Sequence, residues 1–161
     1  MNREFKSQVS EILRLIAEWE PRLSVLPDSI ITERRNTQNR NIRQIVGHMV
    51  DSASNNTHQI VHLQYRENPL SFPNYAIDGN NDRWIAIQNY QEEAWPDLIS
   101  LWKYSNRHIA HVISNIRPEK LDNVWIASPE KKISLREMVT GYVDHLQLHL
   151  GEINQLIGGS D

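Results

Sequence analysis

Two histidines lie four residues apart near the end of the chain, in the stretch YVDHLQLHLGEI from Tyr142 to Ile153. At about 100° of rotation per residue, His149 falls within the apolar stripe of a predicted helix and His145 falls at its edge. One turn apart on one helix face, the two imidazole rings can converge on a single ion, as helical two-histidine metal sites require. The spacing therefore indicates half of a metal site. The alternative is a pair of core-edge histidines that hydrogen-bond to the backbone or to neighbouring side chains.

Five further histidines lie on two other predicted helices: His48, His58, His62, His108 and His111. His58 and His62 repeat the four-residue spacing but lie away from the apolar stripe of their helix, so they are expected to be exposed. His108 falls at the edge of its helix's stripe, and His111 lies further out. His48 lies about 140° from the centre of its stripe. The pattern alone therefore does not distinguish His48 from His62 as a third ligand.

Several kinds of catalytic site are excluded by residue type. A zincin protease needs the motif His-Glu-x-x-His, whereas the residue after His145 is Leu146. A di-iron carboxylate bundle needs Glu-x-x-His pairs, and none of the seven histidines has a glutamate three residues before it. The chain has no cysteine, which excludes disulfides, thiolate metal ligands and cysteine nucleophiles. The catalytic residues are unknown from sequence, because no general base beside the histidines can be assigned.

Composition indicates a folded protein without a nucleic-acid or membrane partner. The chain has 161 residues, 39% of them hydrophobic and 23% charged, which predicts one domain over residues 1–161. A net charge of −3 without a concentrated basic surface argues against nucleic-acid binding. No apolar run approaches the roughly 18 residues that a membrane span needs, and the charged, amphipathic start is unlike a signal peptide. A cytoplasmic location is therefore expected.

Apolar residues recur at three- and four-residue steps in four segments, which predicts an all-α fold built as a four-helix bundle. The first helix is ended by Pro27, and the polar run over residues 28–40 is expected to be a loop. The second helix begins at Asn41, whose side chain can form a capping box with Gln44, and it stops before Pro69.

The second half of the chain carries the other two predicted helices. A helical region spans roughly residues 82–115 and is divided at Pro96, because proline inside a helix removes a hydrogen bond and clashes with the preceding turn. The segment LDNVWIASPEKKI is expected to form a short irregular excursion or hairpin. Ser134 and Glu137 supply a second capping box that opens the last helix, and the glycine pair at 158–159 ends it.

The stretches NIRQIVGHMVDSASN and LREMVTGYVDHLQLHLGEI together resemble the DinB/YfiT-like superfamily, and the resemblance covers nearly the whole chain. It implies a DinB-like bundle in which a histidine of the second helix joins two histidines of the last helix to bind a divalent metal ion. Carried over to this sequence, the metal ligands are His48, His145 and His149. The ion would lie in an interhelical cleft flanked by residues of the second helix: Ile45, Ser52 and Gln59.

Three neutral imidazoles leave at least one coordination position open, which is typical of catalytic rather than structural sites. Nitrogen donors favour zinc or nickel. Members of the superfamily that the chain resembles include thiol-dependent S-transferases and metal-dependent hydrolases. The resemblance therefore implies a small-molecule substrate, with a low-molecular-weight thiol as a candidate. A homodimer is also an expectation. The alternative is a non-enzymatic metal- or ligand-binding bundle whose site is structural or vestigial.

Two carboxylates are candidates to orient the ligand rings through their other nitrogen, Asp51 and Asp144. The alternative for both is an exposed carboxylate on a helix surface. Large aromatic residues at helical spacing could line an apolar substrate pocket or belong to the core: Trp84, Trp95, Trp102, Trp125 and Tyr142.

Overall fold

The structure, a computed structural model, describes residues 4–158. Within these residues the chain forms an all-α four-helix bundle, as predicted. Two short α-helices, a single 3-10 turn at Pro118–Lys120 and a small hairpin are added to the bundle. The elements in chain order are α1 (Lys6–Ser24), α2 (Asp28–Glu33), α3 (Ile42–Tyr65), α4 (Asn80–Gln88), α5 (Trp95–Ser114), β1 (Val124–Ser128), β2 (Lys131–Ser134) and α6 (Leu135–Leu156).

The bundle is formed by α1, α3, α5 and α6, which bury their apolar stripes in one continuous core. Both α1 and α3 pack against α5 and against α6. The cyclic order of the four bundle helices is therefore α1, α5, α3, α6. The first two bundle helices in the chain, α1 and α3, thus lie at opposite corners of the bundle. The side chains at the centre are fully buried, including Trp102, Ile12, Leu98 and Ile109. This order makes α3 and α6 neighbours, and both carry candidate metal ligands.

Two capping boxes set the starting points of α3 and α6, as predicted. The Oδ1 atom of Asn41 accepts from the backbone N–H of Gln44 at 3.1 Å, and Gln44 Oε1 accepts from the backbone N–H of Asn41 at 3.0 Å. At the other helix, Ser134 Oγ accepts from the N–H of Glu137, and Glu137 Oε2 accepts from the N–H of Ser134 at 2.8 Å. These bonds satisfy N–H groups that have no partner within the helix. They fix the helical register of the histidines that follow.

The polar run over residues 28–40 was predicted to be a loop throughout, and this is wrong for its first part. Residues Asp28–Glu33 form the short helix α2. Asp28 lies in the first turn of α2, where a negative charge is favourable at the positive end of the helix dipole. Ile31 is 2% exposed and fastens α2 to the core. One buried isoleucine in six residues is too weak a periodic signal to predict a helix.

The predicted helical region after residue 80 is divided, but not at Pro96 itself. Helix α4 ends at Gln88, followed by Asn89 in the left-handed conformation with φ 50°. Helix α5 begins at Trp95, and Pro96 lies in its first turn. Proline is well tolerated there, because the N–H that it lacks would have no partner within the helix.

The predicted hairpin is confirmed. Strand β1 pairs antiparallel with β2, with a register irregularity between Ile126 and Ser128. Trp125 Nε1 donates to the carbonyl of Phe72 at 2.9 Å, which joins the hairpin to the loop after α3. The predicted end of α6 is confirmed at Gly158, which follows the helix with φ 82°. Gly159 lies outside the described residues.

No helix within residues 4–158 combines the length and apolar character needed to cross a bilayer.

Candidate metal centre

The packing of α3 against α6 brings three histidine rings together. The Nε2 atom of His145 lies 3.2 Å from Nε2 of His48 and 2.9 Å from Nε2 of His149. The candidate ligand atoms of the three side chains all lie within 4.8 Å of one another. His48 and His149 are 3% and 4% exposed, and His145 is half-buried. The structure therefore brings the three predicted ligand residues to one point, each presenting the same ring nitrogen.

The other nitrogen of each ring is occupied by a different side chain. Nδ1 of His149 lies 2.8 Å from Glu152 Oε2, and Nδ1 of His48 lies 2.9 Å from Tyr75 Oη.

Nδ1 of His145 lies 3.3 Å from Ser52 Oγ. Glu152 is itself held by Asn36, whose Nδ2 donates to Oε2 at 3.1 Å. These partners restrict the rotation of each ring, so that the Nε2 atoms are held facing one another.

Burial keeps the rings of His48 and His145 in the neutral form that binds metal ions. Burial, then the neighbouring rings of His149 and His145 and the Arg40 guanidinium, lower the pKa of His48 to about 2. Burial, His149 and Arg40 lower the pKa of His145 to about 4. Burial also raises the pKa of the Tyr75 phenol, so this group remains a protonated partner for His48. Both imidazoles with lowered pKa are therefore neutral at pH 7.

The histidine cluster lies in the wall of a cavity of about 510 Å³ between α3, α6, the hairpin and the loop after α3. One helix face of α3 contributes polar side chains, among them Ser52 and Gln59, as the predicted cleft requires. Ile45 does not line the cavity; it is fully buried in the bundle core, and its predicted position beside the metal is wrong. The cavity is large enough to hold a small molecule next to the histidine cluster.

Neither predicted ring-orienting carboxylate touches a histidine of the cluster. Asp51 is 1% exposed, but its Oδ1 accepts hydrogen bonds from Tyr90 Oη and from Gln88 Nε2, both at 2.6 Å. It therefore belongs to a separate contact between α3 and the α4–α5 region. Asp144 is exposed, as the alternative for an exposed helix carboxylate describes.

The groups that do hold the rings are Tyr75, Ser52 and Glu152, and sequence reasoning assigned none of them this role. For Glu152 a signal exists, because it lies three residues after His149 on the same helix, where side chains meet. For Ser52 the signal is its place on the same face of α3 as His48, one turn later. Tyr75 lies in an irregular loop, for which helical periodicity carries no information.

The remaining histidines lie apart from the cluster. His58, His108 and His111 are exposed, and His62 is half-buried with Nδ1 2.8 Å from Tyr65 Oη. The prediction of exposure is therefore confirmed for His58 and wrong for His62.

The large aromatic residues divide between the cavity and the core. Trp125 and Tyr142 fit both alternatives, because they line the cavity and also belong to the buried core. Trp95 and Trp102 belong to the buried core and do not line the cavity. Trp84 is 39% exposed and contacts the edge of the Tyr75 ring.

Three converging imidazoles between neighbouring helices of a bundle define a helical protein with a candidate metal centre. The chain belongs to the DinB superfamily, whose sequence model matches residues 11–153. The resemblance seen in the sequence is therefore confirmed over most of the chain.

Solved structures of other proteins share this fold. YfiT from Bacillus subtilis, described as "a probable metal-dependent hydrolase with an unusual four-helix bundle topology", has a TM-score of 0.79 at 16% identity, covering 99% of this chain and 91% of YfiT. A mycothiol-dependent maleylpyruvate isomerase has a TM-score of 0.75 at 10% identity, covering 92% of this chain and 60% of the isomerase. The present chain thus spans less than two thirds of that isomerase. No curated protein matches the chain.

Proposed function

We propose that this protein is a divalent-metal-dependent enzyme in which His48, His145 and His149 hold the ion and a small polar substrate occupies the adjoining cavity. The observation that carries the proposal is the arrangement of the six ring nitrogens. Three Nε2 atoms converge at the cavity wall. Each Nδ1 atom contacts another side chain: Glu152, Tyr75 or Ser52. Orientation of ligand rings through the second nitrogen is typical of metal-binding histidines.

The donor set fits a divalent transition ion. A carboxylate oxygen can only accept, so the contact with Glu152 requires the Nδ1 of His149 to carry the proton. The Nε2 atom of His149 then keeps its lone pair for the ion. Three neutral nitrogen donors suit zinc or nickel. Such an ion, when bound, keeps an open coordination position and lowers the pKa of a water or thiol that binds there.

Two reaction classes agree with this site, thiol S-transfer and hydrolysis. Two carboxylates line the cavity among residues 4–158, Glu137 and Glu152. Glu137 is occupied by the N–H and hydroxyl groups of Ser134, and Glu152 by His149. These contacts use only Oε2 of each carboxylate, so Oε1 can still accept a proton from water. An ion in the centre would lower the pKa of a bound thiol or of a bound water alike. Transfer to or from a low-molecular-weight thiol is our first candidate because one of the solved structures that share this fold is mycothiol-dependent.

The first experiment is metal analysis of the untagged protein purified with and without added zinc or nickel. One ion per chain in the wild type, lost in His149→Ala and retained in the exposed-site control His58→Ala, would support the centre. The loaded protein is then assayed for transfer of cysteine to a chlorodinitrobenzene acceptor and for hydrolysis of p-nitrophenyl acetate. Stoichiometric metal without either activity, over a broad set of acceptors and esters, would favour the alternative of a non-enzymatic metal-binding bundle.

A further inference from the structure

Arg40 is a buried arginine in the wall of the cavity that holds the histidine cluster. It directly precedes the capping residue of α3, and its backbone N–H donates to Asn36 Oδ1 at 2.9 Å. Its side chain is only 5% exposed, yet it is one of the residues that line the cavity. Burying a guanidinium is unfavourable unless the group is paired and hydrogen-bonded.

The pairing of Arg40 is incomplete. Its Nε and Nη2 atoms both donate to a single oxygen, Oδ1 of Asp82, at 3.1 Å and 2.7 Å. A guanidinium has five N–H donors, so this contact leaves three of them, both on Nη1 and one on Nη2. No partner for these three is found among residues 4–158. Asp82 is 67% exposed, so solvent screens its charge more than that of Arg40.

Arg40 shares a cavity wall with the histidine cluster. Arg40, His48, His145 and His149 all line the same cavity of about 510 Å³. A bound divalent ion would add two further positive charges to the same cavity. Glu137 and Glu152 line the cavity with two negative charges, so Arg40 and a bound divalent ion would together leave a net positive charge there. The loaded cavity therefore favours a ligand that brings negative charge, with one end at the centre and the other at Arg40.

We propose that Arg40 is a specificity-determining residue that binds the carboxylate of the substrate. Two of the three free donors, one on Nη1 and one on Nη2, form the planar fork that matches the two oxygens of a carboxylate, a geometry that lysine cannot reproduce. The substrate class is a small molecule with a carboxylate at one end and its reacting group at the other. This inference rests on the proposed function, which makes the histidine centre the reacting end.

The test uses succinate and its neutral analogue succinamide as probes at pH 7.5, against the metal-free and the zinc-loaded protein. Dissociation constants are measured by calorimetry, and the Nε–Hε signal of Arg40 is followed by ¹⁵N NMR, assigned by its loss in Arg40→Lys. Wild type should bind succinate more tightly than succinamide and shift the Arg40 signal. Arg40→Met should weaken succinate binding about tenfold or more, as loss of a charge-assisted hydrogen bond predicts.

Arg43→Met is the matched control. Arg43 lies three residues further on, is also largely buried, and pairs with Asp28 outside the cavity. It should keep the preference for succinate. Asp82→Asn removes the competing carboxylate from an exposed position and should tighten succinate binding.

Two results would overturn the proposal: equal succinate binding by Arg40→Met and wild type, or an Arg40 signal that does not move during the succinate titration of wild type. The NMR result decides the question even where Arg40→Met fails to fold. Absence of stoichiometric zinc would refute the metal centre, whereas the metal-free titrations would still decide the role of Arg40.

Discussion

The Nδ1 atom of His149 lies 2.8 Å from Oε2 of Glu152, one helical turn further along α6. The carboxylate fixes which nitrogen of the ring carries the proton, and it increases the electron density at Nε2. Through Asn36 it also ties the ring to the segment before α3. The position of His149 thus depends on two parts of the chain that lie far apart in sequence.

The first prediction is that Glu152→Gln weakens metal binding by about 10- to 100-fold without abolishing it, as loss of a charged partner of a ligand histidine does. Competition with a chromophoric zinc chelator at pH 7.5 measures the affinity. Asp144→Asn is the matched control, because Asp144 is an exposed carboxylate on the same helix and should leave the affinity unchanged. Equal affinities of Glu152→Gln and wild type would mean that this contact does not tune the centre.

The second prediction concerns the ligand from α3. His48→Ala should reduce bound metal well below one ion per chain, because two imidazoles alone make a weak site. His62→Ala should retain the ion, since His62 lies elsewhere on α3 and contacts Tyr65. Metal content by plasma mass spectrometry, together with circular dichroism to verify folding, gives the answer. Loss of the ion in His62→Ala and not in His48→Ala would show that His62, and not His48, is the ligand from α3.

The limits of sequence reasoning are clear on α3. Helical periodicity identifies its apolar stripe and its first residue, because both depend on neighbours three and four positions apart. It cannot identify His48 as a member of the cluster, because this helix has two buried faces. One face packs into the bundle core, and the other, polar face lines the cavity. His48 lies about 140° from the centre of the apolar stripe and is nevertheless only 3% exposed, because it belongs to the second face.

Contacts that join distant segments were equally hidden. Tyr75 contacts His48 from a loop. Tyr90, which donates to Asp51, lies in the connection between α4 and α5, where the sequence pattern predicts helix. The family resemblance, which compares whole chains, identifies His48 as a ligand where periodicity does not. The side chains that hold the three rings, Tyr75, Ser52 and Glu152, are identified only by the folded structure.

The third prediction concerns pH and the metal-free protein. The folded pKa of His145 is lowered to about 4, against about 6.5 in the unfolded chain. Between these values the unfolded chain binds a proton that the folded ring does not, so the free energy of unfolding falls as the pH is lowered below about 6.5. His48, with its pKa also lowered, contributes in the same direction. Each site contributes at most about 1.4 kcal/mol per pH unit within this window.

Urea denaturation of chelator-treated protein at pH 7.5, 6.5 and 5.5 measures the effect before most carboxylates titrate. His145→Gln should make the free energy of unfolding less dependent on pH. His58→Gln, at an exposed position, should leave the dependence as in wild type. A free energy of unfolding that is constant over this range in the metal-free wild type would contradict the assignment of buried, neutral rings.

The last prediction concerns Gly47, the residue before His48. The ring of Tyr90 packs directly on the backbone of α3 at this position, and a Cβ atom there would overlap three carbons of that ring. The contact also places Tyr90 Oη against Asp51, at 2.6 Å from Oδ1. In an exposed helix interior, alanine in place of glycine stabilises by roughly 1 kcal/mol. Here we expect the opposite sign, a loss of about 1–3 kcal/mol, because the ring must move out of a packed core.

Gly151→Ala is the matched control, since Gly151 lies inside α6 with nothing within 4 Å of the added Cβ atom. It should stabilise the protein while Gly47→Ala destabilises it, both measured by urea denaturation. A double-mutant cycle with Tyr90→Ala assigns the effect to the ring, because removing the ring should allow Gly47→Ala to become neutral or stabilising. If Gly47→Ala stabilises the wild-type protein as Gly151→Ala does, Tyr90 does not occupy this position in solution. In that case Tyr90 Oη could not donate its hydrogen bond to the buried carboxylate of Asp51.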